Sequence, residues 1–361
     1  MNKILITAGD PSGIGPEIVV KSLYREKNLS KFIVIGDYFV LNRYSLLKEI
    51  PHIKIQPLEF IHSYIGSCKF GLESSNLISR TLFDKKTESN HSFDIKSNKL
   101  IIIDMKNVNT KKFKFSKIHK DYGRASIEYI NFAINLIKKN IGKILITGPV
   151  NKKAIILSGI KNFSGHTEYI AGLTNTKNFS MLMLGKKTQY KLLLLTRHIP
   201  LKEVSKNLKI ESIVNQILTT NNSLKKYFRI KSPIIGICNI NPHLGEFGTI
   251  GNEEIKILLP AIKILNKKYK LNIIGPISTE KAFSLQQQKK LSLIVANYHD
   301  QAMVPLKILC KYDIINFTCG LPFIRISPGH GTAFDIAGKN IADITSMISC
   351  LNLSKHLLNF C

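Results

Sequence analysis

The sequence contains no tryptophan and is short of acid: 24 Asp and Glu stand against 52 Lys and Arg in 361 residues, a formal net charge of +28. A basic excess of that size can serve nucleic acid, an anionic membrane or an anionic substrate. The lysines are scattered along the whole chain, often beside Asn, and form no single basic face interleaved with aromatics. There is no helix-turn-helix, Cys-based zinc finger or RNP-type aromatic strand, so a nucleic-acid-binding protein is a remote alternative. Most of the excess reads as a compositional habit, and a smaller part suits an anionic ligand. No apolar run approaches membrane-spanning length. The apolar opening Ile4 to Ala8 is stopped by Gly9-Asp10-Pro11, too short for a signal-peptide core. Six cysteines, Cys68, Cys238, Cys310, Cys319, Cys350 and Cys361, form no CxxC pair and no disulfide-like spacing, which suggests a reducing compartment. These absences predict a cytoplasmic protein with no membrane or nucleic-acid partner.

What is present has the balance of a globular protein, 44% hydrophobic and 21% charged, with enough length for two domains. Short apolar runs at residues 3–7, 32–35, 100–103, 144–146, 181–184, 191–195, 234–238, 271–274 and 293–296 read as strands. Between several of them lie helical stripes; 124–138, with Ile127, Ile130, Ala133, Ile134 and Ile137 on one side, is an example. The rhythm predicts an α/β protein with a largely parallel sheet. Residues 74–98 and 106–120 read as a polar excursion and a solvated basic loop. The turn after the first strand, TAGDPSGIGPE (7–17), matches neither GxGxxG nor GxxxxGK[ST]. Its glycines would let backbone approach a ligand, which makes Gly9, Asp10, Gly13 and Gly15 candidate cofactor-binding residues.

The densest chemistry runs from Ser292 to Thr332. A strand empties into Tyr298-His299-Asp300-Gln301, and Lys307, Asn316 and Arg325 follow. Two fixed cations, an amide and a histidine-carboxylate pair suit a small, anionic, oxygen-rich substrate. Farther back, His166 and Thr167 open a helix, where backbone N–H groups favour an anion. His198, His243 and His299 each lie just beyond a strand-like run, at the edge where ligands gather in open α/β sheets. Three imidazoles brought there could hold one divalent metal such as zinc, cobalt or iron.

Taken together, GDPSGIGPEI (9–18), TGPVNK (147–152), SGHTEYIA (164–171), TRHIPL (196–201), NPHLGE (241–246), GNEEI (251–255), YHDQAMVPLK (298–307) and NFTCGLPFIRISPGHGTAFDIAG (316–338) resemble the 4-hydroxythreonine-4-phosphate dehydrogenase family of pyridoxal 5′-phosphate biosynthesis. The resemblance implies a two-domain α/β/α fold like the isocitrate and isopropylmalate dehydrogenases, not a Rossmann domain. Residues 1–145 plus about 305–361 would form the first domain and about 146–304 the second. It implies a homodimer with each active site in an interdomain cleft completed by the partner. His198, His243 and His299 would bind zinc, magnesium or cobalt. His166, Thr167, Lys307, Asn316 and Arg325 would bind the phosphorylated substrate. Asp300 and Lys307 would be catalytic, and the cofactor would be NAD, or NADP. The family's His after TGPV is Asn151 here, and an acid usually found as Asp is Glu280. A sister enzyme acting on a 4-phosphorylated four-carbon sugar acid is the nearest alternative.

Overall fold

The structure, a computed structural model, describes residues 3–65, 98–185 and 190–359. The excursion expected over 74–98 therefore lies outside the described residues apart from Asn98, as do Cys68 and Cys361. Twelve strands form one sheet: β1 (Lys3–Thr7), β2 (Phe32–Gly36), β3 (His52–Ile55), β4 (Leu100–Asp104), β5 (Gly142–Thr147), β6 (Ser180–Gly185), β7 (Tyr190–Leu194), β8 (Ile234–Cys238), β9 (Asn272–Ile277), β10 (Leu293–Ala296), β11 (Ile314–Cys319) and β12 (Ile324–Pro328). Their order is β3-β4-β2-β1-β5-β12-β11-β6-β7-β10-β8-β9.

Neighbours from β3 to β12 run parallel, and so do β7, β10, β8 and β9. Between these blocks the pairs β12/β11, β11/β6 and β6/β7 are antiparallel, so the second block runs opposite to the first. This is the largely parallel α/β architecture that the sequence rhythm predicts. The interior strands are near-continuous apolar runs because helices cover both faces. β1, β2, β4 and β10 are buried at every position, whereas the edge strand β3 is partly exposed. The sequence reading passed over β3, since a four-residue edge segment containing His52 and Lys54 offers little apolar signal.

The helix Lys120–Lys138 lays its Ile127, Ile130, Ala133 and Ile134 stripe against β1, β2 and β5. The helix Thr345–Leu358 covers β5, β11 and β12, and Ile210–Phe228 covers β6 and β11. The helix His299–Cys310 lies on β7, β10 and β11, with Ala302, Met303, Leu306 and Cys310 turned inward. Among the described residues no helix is long and apolar enough to cross a membrane. The basic loop at 106–120 is more than a solvated face. Its lysines are exposed, but the Phe113 and Phe115 rings meet edge-on 4.9 Å apart, and Ser12 Oγ donates to the Lys114 carbonyl.

Candidate active site

Arg325 is the centre of the site. It sits on β12 and is only 1% exposed, yet among the described residues no carboxylate forms a salt bridge with it. Its guanidinium donates to three hydroxyls instead. Nη2 and Nε reach Thr147 Oγ1 at 2.6 and 3.2 Å, and Nη1 reaches Thr318 Oγ1 at 3.2 Å and Thr167 Oγ1 at 3.4 Å. Cross-strand register explains the grouping: Thr318 on β11 stands directly opposite Arg325, and Thr147 ends the other neighbour, β5. Burial lowers the Arg325 pKa to about 10, which leaves it cationic at neutral pH. An isolated buried cation is costly unless an anion joins it.

Two more polar atoms in this region lack partners. His166, the first residue of the helix His166–Leu173, has its Nε2 out of solvent and unbonded, and so does Oδ1 of Asn316 on β11. Burial, and then the charge of Arg325, hold His166 well below the ordinary histidine pKa, so the ring is neutral. A guanidinium fork with hydroxyls and an unpaired imidazole nitrogen makes a receptor for a phosphate-like anion. The sequence reading named Arg325, His166, Thr167 and Asn316 but not Thr147 or Thr318. Their only signal was a threonine at the end of an apolar run.

The three histidines leave adjacent strands at one sheet edge, after β7, β10 and β8. His198 and His299 face each other with ring centroids 5.8 Å apart, edge to face. His299 Nδ1 lies 2.7 Å from Asp300 Oδ1, so a donated Nδ1–H leaves Nε2 free as a ligand atom. His198 is exposed as a residue, yet partial burial of its ring lowers its pKa, and His299 lowers it further. Arg197 beside it reaches Glu168 at 3.4 Å, which ties this loop to the helix that carries Thr167.

His243 does not join the pair. Among the described residues no group of three His, Cys, Asp or Glu is close enough to hold a metal ion. His243 is exposed, in a segment where His243, Leu244, Gly245, Glu246, Phe247 and Gly248 all have positive φ. Such a run is rare because non-glycine residues there crowd Cβ against a carbonyl. The buried carboxylate of Glu254 steadies its base, accepting from the Ile240 and Asn241 backbone N–H groups, each at 2.8 Å.

Lys307 is exposed on the helix His299–Cys310, and Glu280 is exposed in the first turn of Thr279–Gln287. The glycine turn differs from expectation. Gly9, Asp10, Gly13 and Gly15 are all buried. A Cβ on Gly9 (φ +79°) would meet Pro149 O at 2.4 Å, one on Gly15 would meet Ala8 O at 2.2 Å, and one on Gly13 would meet Thr332 O at 2.9 Å. The missing side chains make room for the protein's own backbone.

The family described as pyridoxal phosphate biosynthetic protein PdxA matches residues 28–354. A 4-hydroxythreonine-4-phosphate dehydrogenase from Sulfurihydrogenibium is 35% identical, covering 98% of each chain. A protein of Oceanobacillus iheyensis named putative D-threonate 4-phosphate dehydrogenase is 34% identical over 98% of this chain and 96% of its own. The crystal structure of a 4-hydroxythreonine-4-phosphate dehydrogenase from Klebsiella pneumoniae superposes with a TM-score of 0.78 at 29% identity, covering 99% of this chain and all of that one.

Proposed function

This chain belongs to the family of pyridoxal phosphate biosynthetic protein PdxA and is a dehydrogenase, and from that premise we propose its substrate and chemistry. It oxidises the secondary alcohol of 4-phosphohydroxy-L-threonine to 2-amino-3-oxo-4-(phosphooxy)butanoate. That β-keto acid then loses carbon dioxide to give 3-amino-2-oxopropyl phosphate. The observation that carries this reading is Arg325, a buried cation surrounded by hydroxyls with no carboxylate salt-bridged to it among the described residues. A phosphate dianion supplies the missing charge. Lys307 adds a second cation as a point charge, and Thr147, Thr167, Thr318 and neutral His166 orient the phosphate oxygens.

The histidines fit a divalent metal in part. His198 and His299 offer two neutral rings turned toward each other, with Asp300 fixing the tautomer of one. We assign the third position to His243 of a second copy. The exposed apolar residues Leu244 and Phe247 on its arm, and Val304, Ile308 and Tyr312 on and just past the helix that His299 opens, support a homodimer whose sites are shared. A metal held there supplies Lewis-acid stabilisation of negative charge on the substrate's oxygen. Asp300 keeps His299 oriented and is placed to take up a proton. The family implies a nicotinamide cofactor, for which we propose NAD, but the buried Gly9–Gly15 turn does not fit it. We take the two parallel blocks of the sheet as the two domains.

The near-equal identity to a D-threonate 4-phosphate dehydrogenase keeps that sugar acid as a second reading. Both substrates carry the phosphate that Arg325 requires. NAD reduction measured with each, with and without a chelator, separates them. A higher kcat/KM for the sugar acid overturns the amino-acid substrate, and full turnover after chelation overturns the metal.

A further inference from the structure

The edge that carries the histidines is held by one buried amide. Asn297 is 0% exposed and directly follows β10, the middle strand of β7-β10-β8. Its Nδ2 donates to the carbonyls of Cys238 at 2.9 Å and Asn239 at 3.0 Å, just where the β10/β8 ladder has stopped. The side chain thus extends the ladder past its last rung. On the other side the Asn297 carbonyl accepts from Thr196 Oγ1 at 2.7 Å, beyond the end of β7. Gln301, one helical turn on, closes the arrangement: its Oε1 accepts from Asn297 N at 2.7 Å, and its Nε2 donates to Asn239 O at 2.7 Å and Thr279 Oγ1 at 3.1 Å.

Each strand end fixed in this way opens a histidine loop. His198 stands two residues after Thr196, His299 two residues after Asn297, and the His243 arm starts from Asn239. His198 and His243 both hold a left-handed φ, about +52° and +51°, which persists only where the surroundings over-determine it. We propose that Asn297 and Gln301 are positioning residues that set the spacing of the metal-binding loops: the Asn297 amide ties its own strand end to that of β8, its backbone carbonyl holds the end of β7, and Gln301 locks the amide. The proposal rests on the metal reading above. It goes beyond that reading by naming residues that touch neither metal nor substrate. A purely structural amide would stabilise the sheet edge without affecting what the histidines bind.

Cobalt(II) alone, added to the metal-free full-length protein, distinguishes the two roles through its visible absorption. The variants are Asn297→Asp, which keeps the shape but faces two carbonyls with a carboxylate, and Gln301→Met, which keeps length and removes both hydrogen-bonding groups. The expected result is a cobalt Kd about 10- to 100-fold weaker in each variant, with altered absorption bands. The melting temperature of the metal-free Gln301→Met protein should fall by only a few degrees. Unchanged Kd and spectrum in a folded variant overturn the proposal, and Gln301→Met decides alone if Asn297→Asp does not fold. If the unsubstituted protein and His299→Ala bind cobalt equally well, the metal reading itself falls and this inference falls with it.

Discussion

Arg325 and Asp10 are both buried, charged and, among the described residues, without a salt bridge, and they behave differently. Arg325 is a cation among hydroxyls, in a buried region where polar atoms of His166 and Asn316 are also unpaired. Asp10 is a carboxyl in the closed turn after β1; one oxygen accepts from Ser12 N at 2.9 Å and the other has no partner. Burial pushes the Asp10 pKa up to about 7, so it can shed its charge by taking a proton. A guanidinium has no such escape near neutrality, so it must be matched by something from outside. A buried charge therefore marks a binding site when it cannot neutralise itself and the groups around it share the same deficit.

Replacing Arg325 tests the comparison hardest. Arg325→Met should lower kcat/KM for the phosphorylated substrate about 10³-fold, roughly two charged hydrogen bonds at about 2 kcal/mol each. Turnover of a dephosphorylated analogue should change little, and equal losses on both would show that Arg325 only holds the fold. The corresponding change in the turn should alter stability instead. The folded pKa of Asp10, about 7, stands above its ordinary value of 3.8, so the folded state keeps a proton that the unfolded chain releases between those pH values. Stability from this group is full below about pH 4 and is lost as pH rises through 7. Asp10→Asn should therefore raise the unfolding free energy at pH 8 by up to about 4 kcal/mol, with little effect near pH 4. Urea unfolding at both pH values checks this, and a constant difference would refute it.

A ligand separates the two regions directly. At 100 times its Kd, the phosphorylated substrate should stabilise the protein by about 2.7 kcal/mol. Thermal unfolding should show this gain retained in Asp10→Asn and absent in Arg325→Met. The smallest effect belongs to the pocket wall. Thr147→Val keeps the shape but removes one acceptor of Arg325, so KM should rise about fivefold, near 1 kcal/mol. No change in KM would mean that Thr147 does not align the guanidinium.

Much of this was legible in the sequence. Buried parallel strands must be apolar throughout, so β1, β2, β4, β5 and β10 were readable as runs, and the residues just after them as loops. Asn316 and Arg325 were readable as candidates because polar residues inside apolar runs need a reason. Cross-strand neighbours were not, because Thr318 meets Arg325 only through a register that no local pattern encodes. The packing of the glycine turn was not legible, for a physical reason: a glycine that admits a ligand and one that admits Pro149 O look alike in one dimension. The left-handed path of His243 was hidden too, since only Gly245 and Gly248 in that segment announce a positive φ.

That arm has a bearing on dilution. Four non-glycine residues, His243, Leu244, Glu246 and Phe247, hold a backbone region costing about 1 kcal/mol each. Phe247 meanwhile stands fully in water. A shape so disfavoured in isolation suits one side of the association equilibrium that the proposed homodimer requires. Where a second copy covers the arm, the number of complete sites follows the square of the free-chain concentration. Specific activity would then fall on dilution below the dimer's Kd and return on concentration, so that chain abundance itself regulates the enzyme.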